Sequence, residues 1–189
     1  FAAFFSAGYS LSLHKQLCTC LNKSWMAQSR VELAFKACIT VYVWINNAGI
    51  DISHKPIYEA DAADLKRIVE ANLLGILYAN KVVMAEMVRQ GRGQIWNMEG
   101  FGSNGMSMKG MVPYGATKRA VNYLNTALRK DAQGTGVQIC TLSPGMVLTE
   151  MLLQDMDTNS EDWPRIRKNF NILADTLDTV TPWLVDGVL

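Results

Sequence analysis

Val41-Tyr42-Val43-Trp44-Ile45-Asn46-Asn47-Ala48-Gly49 is the stretch that decides the fold. Its first five residues form a compact, β-rich apolar run, and the run stops at two asparagines, an alanine and a glycine. An apolar run of that length, closed by small turn-forming residues, reads as a buried strand of a parallel sheet with a turn at its carboxyl end. From there onward strand-like and helix-like stretches alternate, in the rhythm of a parallel sheet covered by helices on both faces.

Downstream, Ala60 to Gln90 is helix-prone, with Leu65, Ile68, Val69 and Leu73 at helical spacing and Asn72 near its middle; it reads as one long helix or two. Gly91 to Gly93 is a turn, Gln94 to Met98 a short strand, and Glu99 to Met111 a loop rich in Gly, Ser and Met. Pro113 suits the start of a helix that runs to about Asp131. Val137 to Leu142 is a further strand, broken at Ser143-Pro144-Gly145. A polar region containing Trp163-Pro164 follows, then a helix around Phe170 to Leu177 and a segment through Trp183. Upstream, Phe1 to Phe5 could be a strand and Tyr9 to Leu17 a helix. Cys18 to Thr40 is too short for the strand, crossover helix and second strand that the rhythm calls for.

The whole therefore reads as one α/β domain over residues 1–189, a Rossmann-like doubly wound parallel sheet with a shortened N-terminal half. Its 189 residues suit one domain with a sizeable core. A net charge of +1 leaves no basic stripe for a phosphate backbone, so no nucleic-acid partner is expected. No apolar run looks long enough to span a bilayer, and peripheral membrane contact stays open. Cys18 and Cys20 form a lone C-x-C, a weak metal signal, and no metal site is expected. Cys18, Cys20, Cys38 and Cys140 read as reduced, packed thiols, and His14 and His54 as solvated or packed histidines. The chain begins at Phe1 with no initiator Met, as a processed precursor, a fragment or an incomplete gene model would, so a targeting segment would be invisible.

Chemistry enters with Tyr114 and Lys118, which lie at i and i+4 of the predicted helix and so share a face. A free phenol has a pKa of about 10 and is a poor acid–base catalyst at neutral pH. A neighbouring ammonium favours the phenolate and brings that pKa toward the working range. Taken alone, the spacing is common on solvated helix faces. It gains meaning from Asn46-Asn47-Ala48-Gly49, Asn72, Asn97 and Ser143-Pro144-Gly145-Met146-Val147-Leu148-Thr149. Most of these stand at carboxyl ends of strands, where open parallel sheets bind ligands.

In this combination, residues Val41 to Leu153 resemble the short-chain dehydrogenase/reductase family. The resemblance implies that Tyr114 protonates the reduced carbonyl oxygen, that Lys118 holds the nicotinamide ribose and depresses the Tyr114 pKa, and that Asn72 anchors a water in a proton relay. It implies Asn47, Ala48 and Gly49 on the adenosine side and Pro144, Gly145, Val147 and Thr149 around the nicotinamide. Two departures stand out. The family's catalytic Ser aligns with Gly100, leaving Ser103 as the nearest hydroxyl, either a carbonyl-orienting group or a plain loop residue. Of the glycine-rich phosphate turn, only Gly8 has a counterpart.

A narrower likeness lies in Ile95-Trp96-Asn97-Met98-Glu99-Gly100-Phe101-Gly102-Ser103, which resembles the Asn-Met/Ile-Asp-Gly-Ala-Gly-Ser run of chlorophyll b reductases. Tyr114 to Arg119, Leu142 to Leu153 and Phe170 to Ala174 are similar to the same enzymes. This implies reduction of the C7 formyl group of chlorophyll b or chlorophyllide b with NADPH, NADH being left open, at the thylakoid surface of a plastid; without the narrower likeness the location would be cytoplasmic. A related reductase of another bulky carbonyl (a steroid, quinone or acyl chain) and a non-catalytic scaffold or partner subunit are the alternatives. Apolar stripes in Ala71 to Met87 and Ala116 to Leu128 suit either core faces or a homo- or hetero-oligomer with related reductase subunits. Met98, Met106, Met108 and Met111 could wall a large flat ligand, although ordinary packing accounts for most methionines. Trp163, Phe170 and Trp183 could contact a membrane or a porphyrin, but read first as buried anchors of the last helices.

Overall fold

In the computed structural model, the described residues are 2–5, 40–153, 156 and 158–188. The order is β1 (Ala2–Phe5), β2 (Val43–Asn46), α1 (Ala62–Val69), α2 (Gly75–Gln90), β3 (Gly93–Met98), α3 (Val112–Asp131), β4 (Val137–Leu142), β5 (Met146–Val147), α4 (Glu150–Leu153), α5 (Trp163–Leu173), β6 (Ala174–Asp175) and α6 (Leu177–Val188). Gly8, His14, Cys18, Cys20, Cys38 and the expected Tyr9–Leu17 helix lie outside the described residues.

The main sheet runs β1-β2-β3-β4. β2, β3 and β4 are parallel and in register, with Asn46 beside Asn97 and Asn97 beside Thr141. β1 pairs antiparallel with β2, so the sheet is parallel except at that edge. Alternation along the strands sets the layers. Trp44, Ile95, Val137 and Ile139 turn one way and pack with Ala79, Val83 and Met87 of α2 and Ala132 after α3, closing the core. Val43, Gln94, Trp96 and Cys140, on the opposite face, are only half-buried. Among the described residues, then, helices cover one face where both were expected.

Asp61 caps α1, its carboxylate accepting from the Ala63 N–H at 2.7 Å. α1 and α2 are one continuous helix interrupted by a π turn at Glu70–Leu74. The extra residue of the π turn lets Ile68, Asn72, Ile76, Val83 and Met87 share the buried face, while Val69, expected on it, is exposed. This helix, Ala62–Gln90, is long and apolar enough to cross a membrane by length and composition, contrary to the reading of the bare sequence. Its buried face, however, is packed on the sheet as the core helix of the domain.

The C-terminal region also departs from expectation. The single helix placed at Phe170 to Leu177 is two helices, parted by β6, which pairs parallel with β5. Phe170 is buried edge-on to Trp163, with ring centroids 6.5 Å apart. Trp183 is 67% exposed and so anchors nothing in the interior.

Candidate active site

The site is assembled at the carboxyl ends of β2 and β3 by one face of α3. Tyr114, Lys118, Asn122 and Asn125 follow one another at intervals of four, four and three residues, which stacks them along a single stripe. Residues 97–100 run down this stripe in reverse. Asn97 meets Asn125, Glu99 meets Asn122 at 3.0 Å, the Met98 carbonyl accepts from Lys118 Nζ at 3.2 Å, and Gly100 lies under Tyr114.

Gly100 matters because of what it lacks. A Cβ built there would lie 2.7 Å from the Tyr114 hydroxyl and 3.1 Å from Lys118 Cε. The Tyr114 hydroxyl thus stands where a serine side chain at position 100 would begin. Ser103 does not take up that place. It is buried and held through its backbone, its N–H donating to the Gly100 carbonyl at 3.0 Å and its carbonyl accepting from Arg119 Nη1 at 2.7 Å. No hydrogen bond joins its hydroxyl to Tyr114. The turn that carries it is pressed against α3: Gly102 has φ +91°, and a Cβ there would lie 2.7 Å from the Gly115 Cα. Only glycine tolerates both conditions.

Asn72 sits fully buried in the π turn, a common device for aiming one side chain out of a helix. Its Oδ1 accepts from the Ile50 N–H at 2.8 Å, and its Nδ2 donates to the Ile50 carbonyl at 2.8 Å and to Thr117 Oγ1 at 3.3 Å. One side chain thereby ties the loop after β2 to α3, beside Lys118. A Cβ at Gly49 would lie 3.4 Å from Asn72 Oδ1 and 3.6 Å from Lys118 Nζ, ordinary contact distances that show how near the loop backbone runs to both polar groups. Asn47 and Ala48 are exposed at the same edge.

Electrostatics here run opposite to the expected depression of Tyr114. Burial, helped by the Asp51 carboxylate, pushes its phenol up to about 12. Burial also pulls Lys118 down to about 8, with Glu99 opposing the fall. The Lys118 nitrogen lies over the Tyr114 ring, 5.7 Å from its centroid, within the reach of a cation–π contact. At neutral pH the pair is therefore a protonated phenol next to a lysine that is still mostly ammonium; the phenol carries its proton, and its raised pKa makes it a weaker acid than a free phenol.

Pro144, Gly145, Val147 and Thr149 stand beyond the end of β4. Gly145 has φ +75° and an open surround. Thr149 caps α4, its hydroxyl accepting from the Leu152 N–H at 3.3 Å. His54, read from the sequence as a solvated or packed histidine, is paired at 2.9 Å with Asp51, which the sequence reading passed over, in the loop after β2. Asn80, Asn122 and Asn125 were also missed; the heptad-like interval from Lys118 to Asn125 was the available signal.

Against this geometry, the family model described as short chain dehydrogenase matches residues 19–160. The chain belongs to the short-chain dehydrogenase family. Within it, this member is 36% identical over 155 residues to the probable chlorophyll(ide) b reductase NYC1, chloroplastic, of Arabidopsis thaliana, covering 82% of this chain and 30% of that protein. It is 36% identical over 151 residues to the chlorophyll(ide) b reductase NOL, chloroplastic, of the same plant, covering 77% and 42%. The NADP-dependent 3-hydroxy acid dehydrogenase YdfG of Escherichia coli K12 is 29% identical over 126 residues, covering 67% and 50%. Among solved structures, a gluconate 5-dehydrogenase from Burkholderia cenocepacia in complex with NADP and tartrate matches with a TM-score of 0.65 and 27% identity, over 78% of this chain and 57% of that one. This short-chain dehydrogenase chain thus spans less than half the length of the chlorophyll(ide) b reductases it matches.

Proposed function

We propose that this chain carries the acid–base half of an NADPH-dependent reductase site whose substrate is a chlorophyll pigment, the formyl group of chlorophyll b or chlorophyllide b being reduced to hydroxymethyl. The observation that carries the reading is the convergence of Asn72, Lys118 and Tyr114 at the ends of β2 and β3. Tyr114, protonated at neutral pH, donates its proton to the substrate oxygen, a transfer that runs downhill from so weak an acid because the alkoxide left by hydride addition is the stronger base. Lys118 supplies positive charge beside it, and Asn72 holds the loop and helix in register. The nicotinamide, when bound, supplies the hydride.

The residues present fit such a cofactor. Gly49 leaves the loop backbone close to Lys118 Nζ, and that ammonium commits one of its three N–H groups to Met98, so the others can meet ribose hydroxyls. Asn47 and Ala48 would line the adenosine side, and Pro144, Gly145, Val147 and Thr149 the nicotinamide side. NADP-dependent relatives support NADPH over NADH. Exposed Met106 and Met108, in the loop that leads from β3 to the helix bearing Tyr114, support a broad apolar substrate. The names of the plant relatives support a plastid location, with the thylakoid surface as the place where such a pigment is met. A groove between α2 and α3, lined by Leu73, Leu77, Tyr123 and Leu124, supports pairing with a second reductase subunit.

The test is a titration of the purified protein with NADPH, followed by cofactor fluorescence, and then addition of chlorophyllide b. Saturable binding and oxidation of NADPH on pigment addition are expected. Absence of cofactor binding would overturn the reading. Oxidation with other bulky carbonyls alone would keep the reductase and discard the pigment.

A further inference from the structure

The most heavily built polar feature of the interior leads away from Tyr114. Trp44 Nε1 donates to Asn46 Oδ1 at 2.7 Å, Asn46 Nδ2 to Asn97 Oδ1 at 2.7 Å, Asn97 Nδ2 to Asn125 Oδ1 at 2.7 Å, and Asn125 Nδ2 to Glu99 Oε1 at 3.4 Å. Asn80 clasps Asn97 reciprocally at 3.0 and 3.3 Å, and Asn122 Nδ2 adds a second donor to Glu99 Oε1 at 3.0 Å. The four asparagines 46, 80, 97 and 125 are buried.

The sense of this chain is forced at both ends. An indole N–H can only donate and a carboxylate can only accept, so every amide between them must point its NH₂ toward Glu99. Hydrogen bonds aligned head to tail polarise one another, and here the alignment favours an anion at the terminus. That terminus lies beside Lys118. The two amides gripping Glu99 are four and seven residues along the same helix face. Lys118 itself bonds the carbonyl of Met98, the residue before Glu99. The Glu99 N–H is fixed to the Leu142 carbonyl at 2.8 Å. Glu99 and Lys118 form no direct ion pair, so the carboxylate acts across space.

We propose that Glu99 is a positioning residue for Lys118, an anchored negative charge that keeps the lysine side chain ionised and turned to the Met98 carbonyl. For its meaning in catalysis this rests on the reductase reading of the Tyr114–Lys118 site. Burial alone drives Lys118 toward the neutral form, and Glu99 is the group that opposes it. The other groups around the lysine do not substitute for it. Tyr114, on the same helix, is neutral through the working range, the π turn presents uncharged Asn72, and Asp51, in the loop after β2, acts on Tyr114.

The test is the titration of Lys118 in the full chain, followed by NMR of lysine labelled with ¹³C at Cε and assigned by the signal lost in Lys118→Met. Glu99→Gln keeps an accepting oxygen for Asn122 and Asn125 and removes only the charge. It is expected to lower the Lys118 midpoint by about one pH unit, roughly a tenfold loss of ammonium at mildly alkaline pH. NADPH affinity above pH 8 should weaken in parallel, with binding near pH 6 unchanged. Glu99→Asp, which retains the charge, should titrate near wild type. Should Glu99→Gln fail to fold, Asn122→Ala, which frees the carboxylate from its nearer donor, is expected to shift the midpoint in the same direction by less. An unmoved midpoint in Glu99→Gln, or in Asn122→Ala where only that variant folds, would overturn the proposal. A shifted midpoint in a protein that neither binds NADPH nor reduces carbonyls would leave the coupling standing and remove the reductase reading instead.

Discussion

The Tyr114 hydroxyl lies over Gly100, so close that a Cβ on that glycine would come within 2.7 Å of it. In the family pattern this position carries a serine. Here the tyrosine and the absent side chain are two halves of one arrangement: the glycine makes room for the phenol. Gly100→Ala is therefore expected to leave the fold nearly intact, because the atom it meets is the far end of a side chain that can swing. It should nevertheless displace the hydroxyl and lower turnover by roughly 10- to 100-fold, the cost of misplacing a reacting group by about 1 Å. Steady-state kinetics beside a melting curve check both halves; unchanged turnover would show that the hydroxyl does not work from this position.

Gly102→Ala should behave in the opposite way. Its positive φ and its approach to the Gly115 backbone leave no flexible neighbour to yield. A loss of about 1–3 kcal/mol is expected, from backbone strain and forced separation of the turn from α3. Chemical denaturation measures it, and a variant as stable as wild type would contradict the packing described.

The pH dependence of stability follows from Lys118. Its folded value of about 8 lies below the ordinary lysine value of 10.5, so the unfolded chain binds more protons between the two. Burying the ammonium is a full cost below about pH 8 that is relieved as pH climbs toward 10. Relative to Lys118→Met, the wild type should thus gain stability across that window, by up to the order of 3 kcal/mol. Above pH 10 Tyr114 works in the other direction, since its folded form holds a proton that the unfolded chain gives up. Paired denaturation curves at several pH values test the sign.

Much of this was legible in the residues themselves. The strand within the apolar run that opens at Val41, the strand ending at Met98 and the helix with Pro113 in its first turn all stand close to where local pattern puts them, and the i, i+4 spacing did place Tyr114 and Lys118 on one face. What was not legible depended on contacts between distant segments. A π turn adds one residue to a helix without disturbing its apolar composition, so the aiming of Asn72 was invisible. The asparagine relay exists only because the register sets Asn46 beside Asn97 while α2 and α3 bring Asn80 and Asn125 to the same point. The direction of the Tyr114 shift turned on burial and on Asp51, sixty-odd residues away in the chain, whereas spacing had suggested only Lys118.

Asn72 carries a prediction of its own. Replacing it with Leu strands both the N–H and the carbonyl of Ile50, each now held at 2.8 Å. An unpaired buried backbone group costs about 1–3 kcal/mol. The variant should be destabilised on that scale, and NADPH binding should weaken because the loop bearing Gly49 loosens beside Lys118. A variant of wild-type stability and affinity would show that the Ile50 loop is held by something else.

The central claim is that Tyr114 is the proton donor of a hydride-transfer site. Tyr114→Phe removes one oxygen and leaves the ring, the Lys118 environment and the Gly100 cavity in place, so its kinetics bear on the claim most directly. With NADPH and chlorophyllide b, turnover is expected to fall by about 10²- to 10⁴-fold, the range for loss of a general acid, while NADPH affinity stays near that of the wild type. Undiminished turnover in Tyr114→Phe would contradict the account.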